Sequence, residues 1–83
     1  MKKTIYTDEY AVVLRLLIEK RAKAGLTQID LAKKLKSTQS FVSKIERGER
    51  RLDIIQLRTI CGLLKIGLPD FVSDLEHELA ARR

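Results

Sequence analysis

Cysteine, tryptophan, proline and long apolar runs are all scarce in this chain, and each shortage removes a class of protein. A single cysteine, Cys61, among 83 residues rules out a disulfide framework and fits a reducing cytoplasm. With one Pro, four Gly and no Trp, turn-rich sheets and long loops are disfavoured and helices are favoured. No apolar run is long enough to span a bilayer. Lys2 and Lys3 are not followed by the apolar stretch of a signal peptide. Cys and His are too few to cluster, so no metal site is expected, and His77 among Asp74, Glu76 and Glu78 reads as a surface residue.

What is present is a globular composition, 45% apolar and 34% charged, at a length suited to a single domain over residues 1–83. The net charge of +6 is unevenly placed. Residues 1–51 hold 13 Lys/Arg against 6 Asp/Glu, a net of +7, and the remainder is close to neutral at −1. The basic part calls for a polyanion, and on charge alone both nucleic acid and an anionic membrane qualify. The membrane is the poorer fit, because the basic residues do not border an exposed apolar helical stripe.

Apolar spacing and capping residues predict five short helices and no strands. The first runs from about Asp8 to Ala24, capped by Thr7 and closed by Gly25, with Tyr10, Val13, Leu14 and Leu17 on its inner face. Thr27 opens a second over 28–35, with Asp30 placed for a capping box and with Ala32 and Leu35 directed inward. After Lys36-Ser37, Thr38 caps a third helix that ends at Arg47 before Gly48, with Val42 and Ile45 inward. Asp53 caps a fourth, about 54–65, whose apolar stripe is Ile54, Leu57, Ile60, Cys61 and Leu64. Cys61 on that stripe is a packed core thiol. Leu68-Pro69-Asp70 starts a fifth helix, about 69–82.

A short helix, a tight break and a second helix with a polar outer face suit the major groove of B-DNA, which admits one α-helix. Gln39 heads that second helix, and a Gln amide can pair with the N6 and N7 of adenine. Ser40, Ser43 and Lys44 share its side. Nothing supplies a base, an oxyanion loop or a phosphate cradle for catalysis, so the chain is expected not to be an enzyme and to need no cofactor.

The segments Gly25-Leu26-Thr27-Gln28, Asp30-Leu31-Ala32, Thr38 through Gly48, and Leu57 resemble the Xre-type helix-turn-helix regulators, the class of the Cro and cI repressors. The resemblance covers about residues 10–67 and implies an all-α, five-helix, lambda-repressor-like DNA-binding domain. By that resemblance Gln39, Ser40 and Lys44 read bases. Gln28, Thr38, Ser43, Arg47, Arg50 and Arg51 hold the DNA backbone, and Arg21 pairs with Glu46 to brace the recognition helix. The family usually has Gly where Lys36 stands, which implies a left-handed lysine, and an apolar residue where Ser37 stands. Phe41 faces outward and has two readings. It either packs on a thymine methyl or the sugar-phosphate backbone, or it covers the flank beside the second helix.

The fold implied is a helix-turn-helix core of about 8–67 and a C-terminal helix left over for a partner. Phe71, Val72, Leu75 and Leu79 form the expected dimer interface, with Phe71 and Leu75 partly intramolecular. The function expected is a sequence-specific transcriptional regulator of double-stranded DNA, most simply a repressor, working as a homodimer on a near-palindromic operator. The length also resembles restriction–modification controller proteins and antitoxin-type autoregulators. A protein-interaction module without DNA binding is the reading from another class, and the intact polar face argues against it. No pocket for a small-molecule effector is expected at this size.

Overall fold

Thr7, Thr27, Thr38 and Asp53 each turn an extended backbone into a helix by accepting a bond from an N–H three residues on. The computed structural model describes residues 7–82; Lys2 and Lys3 lie outside that range. Its five helices are α1 (Asp8–Lys23), α2 (Gln28–Leu35), α3 (Gln39–Glu46), α4 (Ile54–Leu63) and α5 (Leu68–Ala81). No strand occurs among the described residues.

Two of the caps are reciprocal. Thr27 Oγ1 accepts from the Asp30 N–H at 3.1 Å, and Asp30 Oδ2 accepts from the Thr27 N–H at 2.9 Å. That backbone N–H also holds the Asp30 carboxyl below its ordinary pKa. Asp53 and Gln56 make the same exchange at the start of α4, a box that capping residues read singly do not reveal.

The first four helices stop by a shared device. Gly25, Lys36, Gly48 and Lys65 are all left-handed, at φ of 76, 56, 76 and 62°. After each of them the chain bonds back onto the preceding turn, as Ser37 N–H does to the Ala32 carbonyl at 2.9 Å. The two lysines adopt a conformation that costs a side-chain-bearing residue about 1–2 kcal/mol. Lys65 closes the fourth helix, and Gly67, whose backbone is extended, sits at the head of α5.

A single apolar cluster draws on all five helices, from Leu17 on α1 through Leu31, Ile45 and Ile60 to Phe71 on α5. Several inward positions differ from the sequence expectation. On α1 the buried residues are Val12, Leu14, Leu16 and Leu17, while Tyr10 and Val13 are half-buried. The face is wider than one stripe because α1 packs against both α3 and α5. On α2 the buried pair is Leu31 and Ala32, with Leu35 half-buried at the margin. Ile54 is 59% exposed and its neighbour Ile55 66%, while Leu57, Ile60 and Cys61 further along α4 are buried.

Phe71 is fully buried within its own chain and offers no surface to a partner. This corrects its place in the expected dimer interface: the first turn of α5 closes the core of the same molecule. Leu75 and Leu79 pack on that core while half-buried, and Val72 is exposed. Ion pairs clamp α5 along α1, Arg15 with Glu78 and Lys20 with Asp74, the latter at 2.5 Å. Cys61 is fully buried, and burial pushes its thiol above its ordinary pKa. None of the described helices is long and apolar enough to cross a membrane.

Candidate nucleic-acid interface

The recognition helix α3 is held from below by Val42 and Ile45, both buried, and its other side presents Gln39, Ser40 and Lys44 to solvent. Ser43 is half-buried and Thr38 exposed, its hydroxyl accepting from the Phe41 N–H at 3.1 Å. The three expected base readers therefore share one outer face within two helical turns.

Behind that face runs a chain of polar contacts linking four residues. Arg21 Nε donates to Glu46 Oε2 at 2.7 Å, and its NH2 donates to Oε1 at 3.0 Å. The remaining arm of the guanidinium reaches the Leu26 carbonyl at 2.9 Å. Gln28 Nε2 also donates to Glu46 Oε1, at 2.8 Å, and Gln39 Nε2 donates to Gln28 Oε1 at 2.9 Å. The ion pair is shielded, with the Arg21 side chain 14% exposed and that of Glu46 5%. One end of the series is thus fixed in the protein, and the other is the amide of Gln39. That amide keeps its carbonyl oxygen and one N–H for an outside partner.

The loop after α3 carries the cations. Arg50 lies over the Phe41 ring, 4.9 Å from its centroid, and Arg51 lies over the Tyr10 ring at 6.0 Å. The Tyr10 hydroxyl accepts from the Leu52 N–H at 3.0 Å, tying the loop to α1. Arg47 is turned back on its own chain, donating from Nε to Glu49 Oε2 at 2.9 Å and from NH1 to Ser43 Oγ. Sequence reasoning missed this pair by treating the loop as a net charge. Opposite charges two residues apart across a helix end were the available signal.

Phe41 is half-buried, packs against the core and carries Arg50. It also borders a shallow hollow of about 260 Å³ shared with Thr38, Ser40, Lys44 and Arg50. Ser37 is exposed at the turn, and a groove of about 330 Å³ stays open there between Leu35, Phe41, Ile55 and Ile60. The described residues gather no group of three or more His, Cys, Asp or Glu that would hold a metal.

A helix-turn-helix family model matches residues 17–71. A solved XRE-family-like protein from Pseudomonas syringae pv. tomato is 43% identical, with a TM-score of 0.79 over 84% of this chain and 85% of that one. The wild-type restriction–modification controller protein C.Esp1396I is 29% identical, with a TM-score of 0.81 over 90% of this chain and 99% of that one. The same controller as a tetramer in complex with its natural 35 base-pair operator gives a TM-score of 0.79, again at 29% identity and over the same 90% and 99% of the two chains. A search of curated protein sequences finds no match.

Proposed function

This chain belongs to the XRE-type helix-turn-helix family, and from that premise we propose a sequence-specific transcriptional regulator that binds double-stranded DNA as a homodimer. The observation that carries the proposal is the Gln39 amide, exposed at the head of α3 and held in orientation through Gln28 and Glu46 to Arg21. A side chain whose approach is set before contact loses little freedom on pairing with a base. Gln39, Ser40 and Lys44 read base edges. Thr38, Arg50 and Arg51 hold phosphates on the near strand, with Phe41 positioning Arg50.

One recognition helix covers few base pairs, and a two-fold dimer reads two half-sites about 34 Å apart on a near-palindromic operator. The recognition unit is the core of about 8–67, and the partner surface lies on the outer side of α5, with Val72 and the open edges of Leu75 and Leu79. The protein acts by occupancy and not by catalysis, with repression of a promoter under the operator as the simplest outcome.

A restriction–modification controller is the second reading. It is favoured by the match along 99% of a controller that is solved as a tetramer on its operator. Selection of bound sequences from a random duplex library tests the main proposal. Enrichment of an inverted repeat with half-sites one helical turn apart is the expected result, and no enrichment would overturn it. Sedimentation of the protein with the selected duplex then counts the chains per site. Four chains would support the controller reading.

A further inference from the structure

The basic loop contains one acid, and its position is built into the fold. Gly48 is left-handed at φ 76°, and the Glu49 N–H then bonds to the Lys44 carbonyl at 2.9 Å. This returns the chain over the end of α3 and sets the Glu49 carboxylate against Arg47. One carboxylate oxygen takes Nε at 2.9 Å, the other takes NH2 at 3.3 Å, and Ser43 Oγ takes NH1. Two acceptor oxygens facing two parallel N–H groups is the arrangement in which a guanidinium also grips a phosphate.

We propose that Glu49 is an internal stand-in for a DNA phosphate. Its carboxylate keeps Arg47 occupied and off the DNA strand, which lowers affinity for duplex of arbitrary sequence. The inference rests on the DNA-binding reading above. Sequence-independent binding is supplied by cations that neutralise phosphates and release counterions. A cation that stays paired with its own carboxylate neutralises no phosphate and so releases none of them. The Arg47 side chain is 54% exposed, so the pair is screened and exchangeable, and it tunes binding instead of abolishing it. Base contacts from Gln39, Ser40 and Lys44 then carry a larger share of the total.

The test uses the full chain and a random-sequence duplex, with affinity followed by fluorescence anisotropy across a salt series. Wild type is compared with Glu49→Gln, Glu49→Ala, Arg47→Ala and the Arg47→Ala/Glu49→Gln double variant. Both Glu49 variants are expected to bind about two- to fivefold tighter, the range an exposed ion pair can withhold. Their plots of log affinity against log salt should steepen by about 0.9, the value for one added phosphate contact. With Arg47 absent, Glu49→Gln should leave the slope unchanged. Equal steepening with and without Arg47 would show simple charge repulsion and overturn the stand-in role, as would variants that bind no tighter. A wild type that binds no duplex would instead remove the DNA-binding reading, and this inference with it.

Discussion

Arg21 and Glu46 meet through two N–H···O bonds, 2.7 and 3.0 Å long, joining the last turn of α1 to the last turn of the recognition helix. The same carboxylate accepts from Gln28, which in turn accepts from Gln39. The buried ion pair and the exposed Gln39 amide are therefore two ends of one arrangement, and substitutions can separate them.

Glu46→Gln leaves the Arg21 guanidinium largely buried without its counter-ion. Breaking such a pair from one side costs about 3 kcal/mol, which thermal or denaturant unfolding will show. Replacing both, as Arg21→Met/Glu46→Leu, should return most of that stability, since apolar substitutes of similar volume are often near neutral. DNA recognition should not return, because Gln28 then has no acceptor to hold it. A double variant with both wild-type stability and wild-type operator affinity would refute the linkage.

Gln39→Ala should cost about 1–3 kcal/mol on the selected operator and relax the preference at one base pair per half-site. Gln28→Ala should lose part of the same energy, because it removes the carbonyl oxygen that accepts from the Gln39 amide. The two losses should be less than additive in a double-mutant cycle. Strict additivity would mean that Gln28 acts on DNA independently.

Arg50→Ala should weaken operator and random duplex alike and flatten the salt dependence by about 0.9 for the lost phosphate contact. Phe41→Ala should move in the same direction by a smaller amount, since it removes the ring under Arg50 and leaves the charge. A base-specific loss in Phe41→Ala, measured by repeating the sequence selection, would assign the ring to a thymine methyl instead.

Lys36→Gly and Lys65→Gly should each stabilise the fold by about 0.5–1 kcal/mol. Both lysines are left-handed, and glycine relieves the clash at some cost in unfolded-chain entropy. Gly48→Ala imposes the same strain in reverse and should destabilise by about 1–2 kcal/mol. Denaturant midpoints at constant slope will check all three.

The Lys20 ammonium holds the Asp74 carboxyl below its ordinary value of 3.8. A carboxyl depressed in the folded state stabilises the fold at pH above its unfolded value, and that contribution fades as pH falls through the folded one. Acid should therefore loosen α5 from α1. Lys20→Met should lower the Tm at pH 7 and shrink the further drop on acidification. Identical Tm profiles for variant and wild type would show that the pair contributes nothing.

Local chemistry was legible in the sequence because it depends on neighbours a few residues apart. Thr7, Thr27, Thr38 and Asp53 begin helices where their side chains can cap, and the left-handed Lys36 follows from its register in the family pattern. Among long-range pairs, Arg21 with Glu46 was legible through the family pattern, and others carried no such signal. Tyr10 with Leu52, Lys20 with Asp74 and Arg15 with Glu78 meet across 42, 54 and 63 residues of chain. Ile54 and Phe71 show a different limit. Apolar periodicity says which side of a helix is greasy, but not where the covering neighbour ends or whether it belongs to the same molecule.

The buried Cys61 gives the molecule its own gauge of opening. Its thiol touches no solvent in the folded chain, and no second cysteine competes for a thiol reagent. Labelling can therefore proceed only through excursions that part α4 from its neighbours. The labelling rate measures how often the core breathes, and the slowing caused by an added duplex would report how far DNA quiets it.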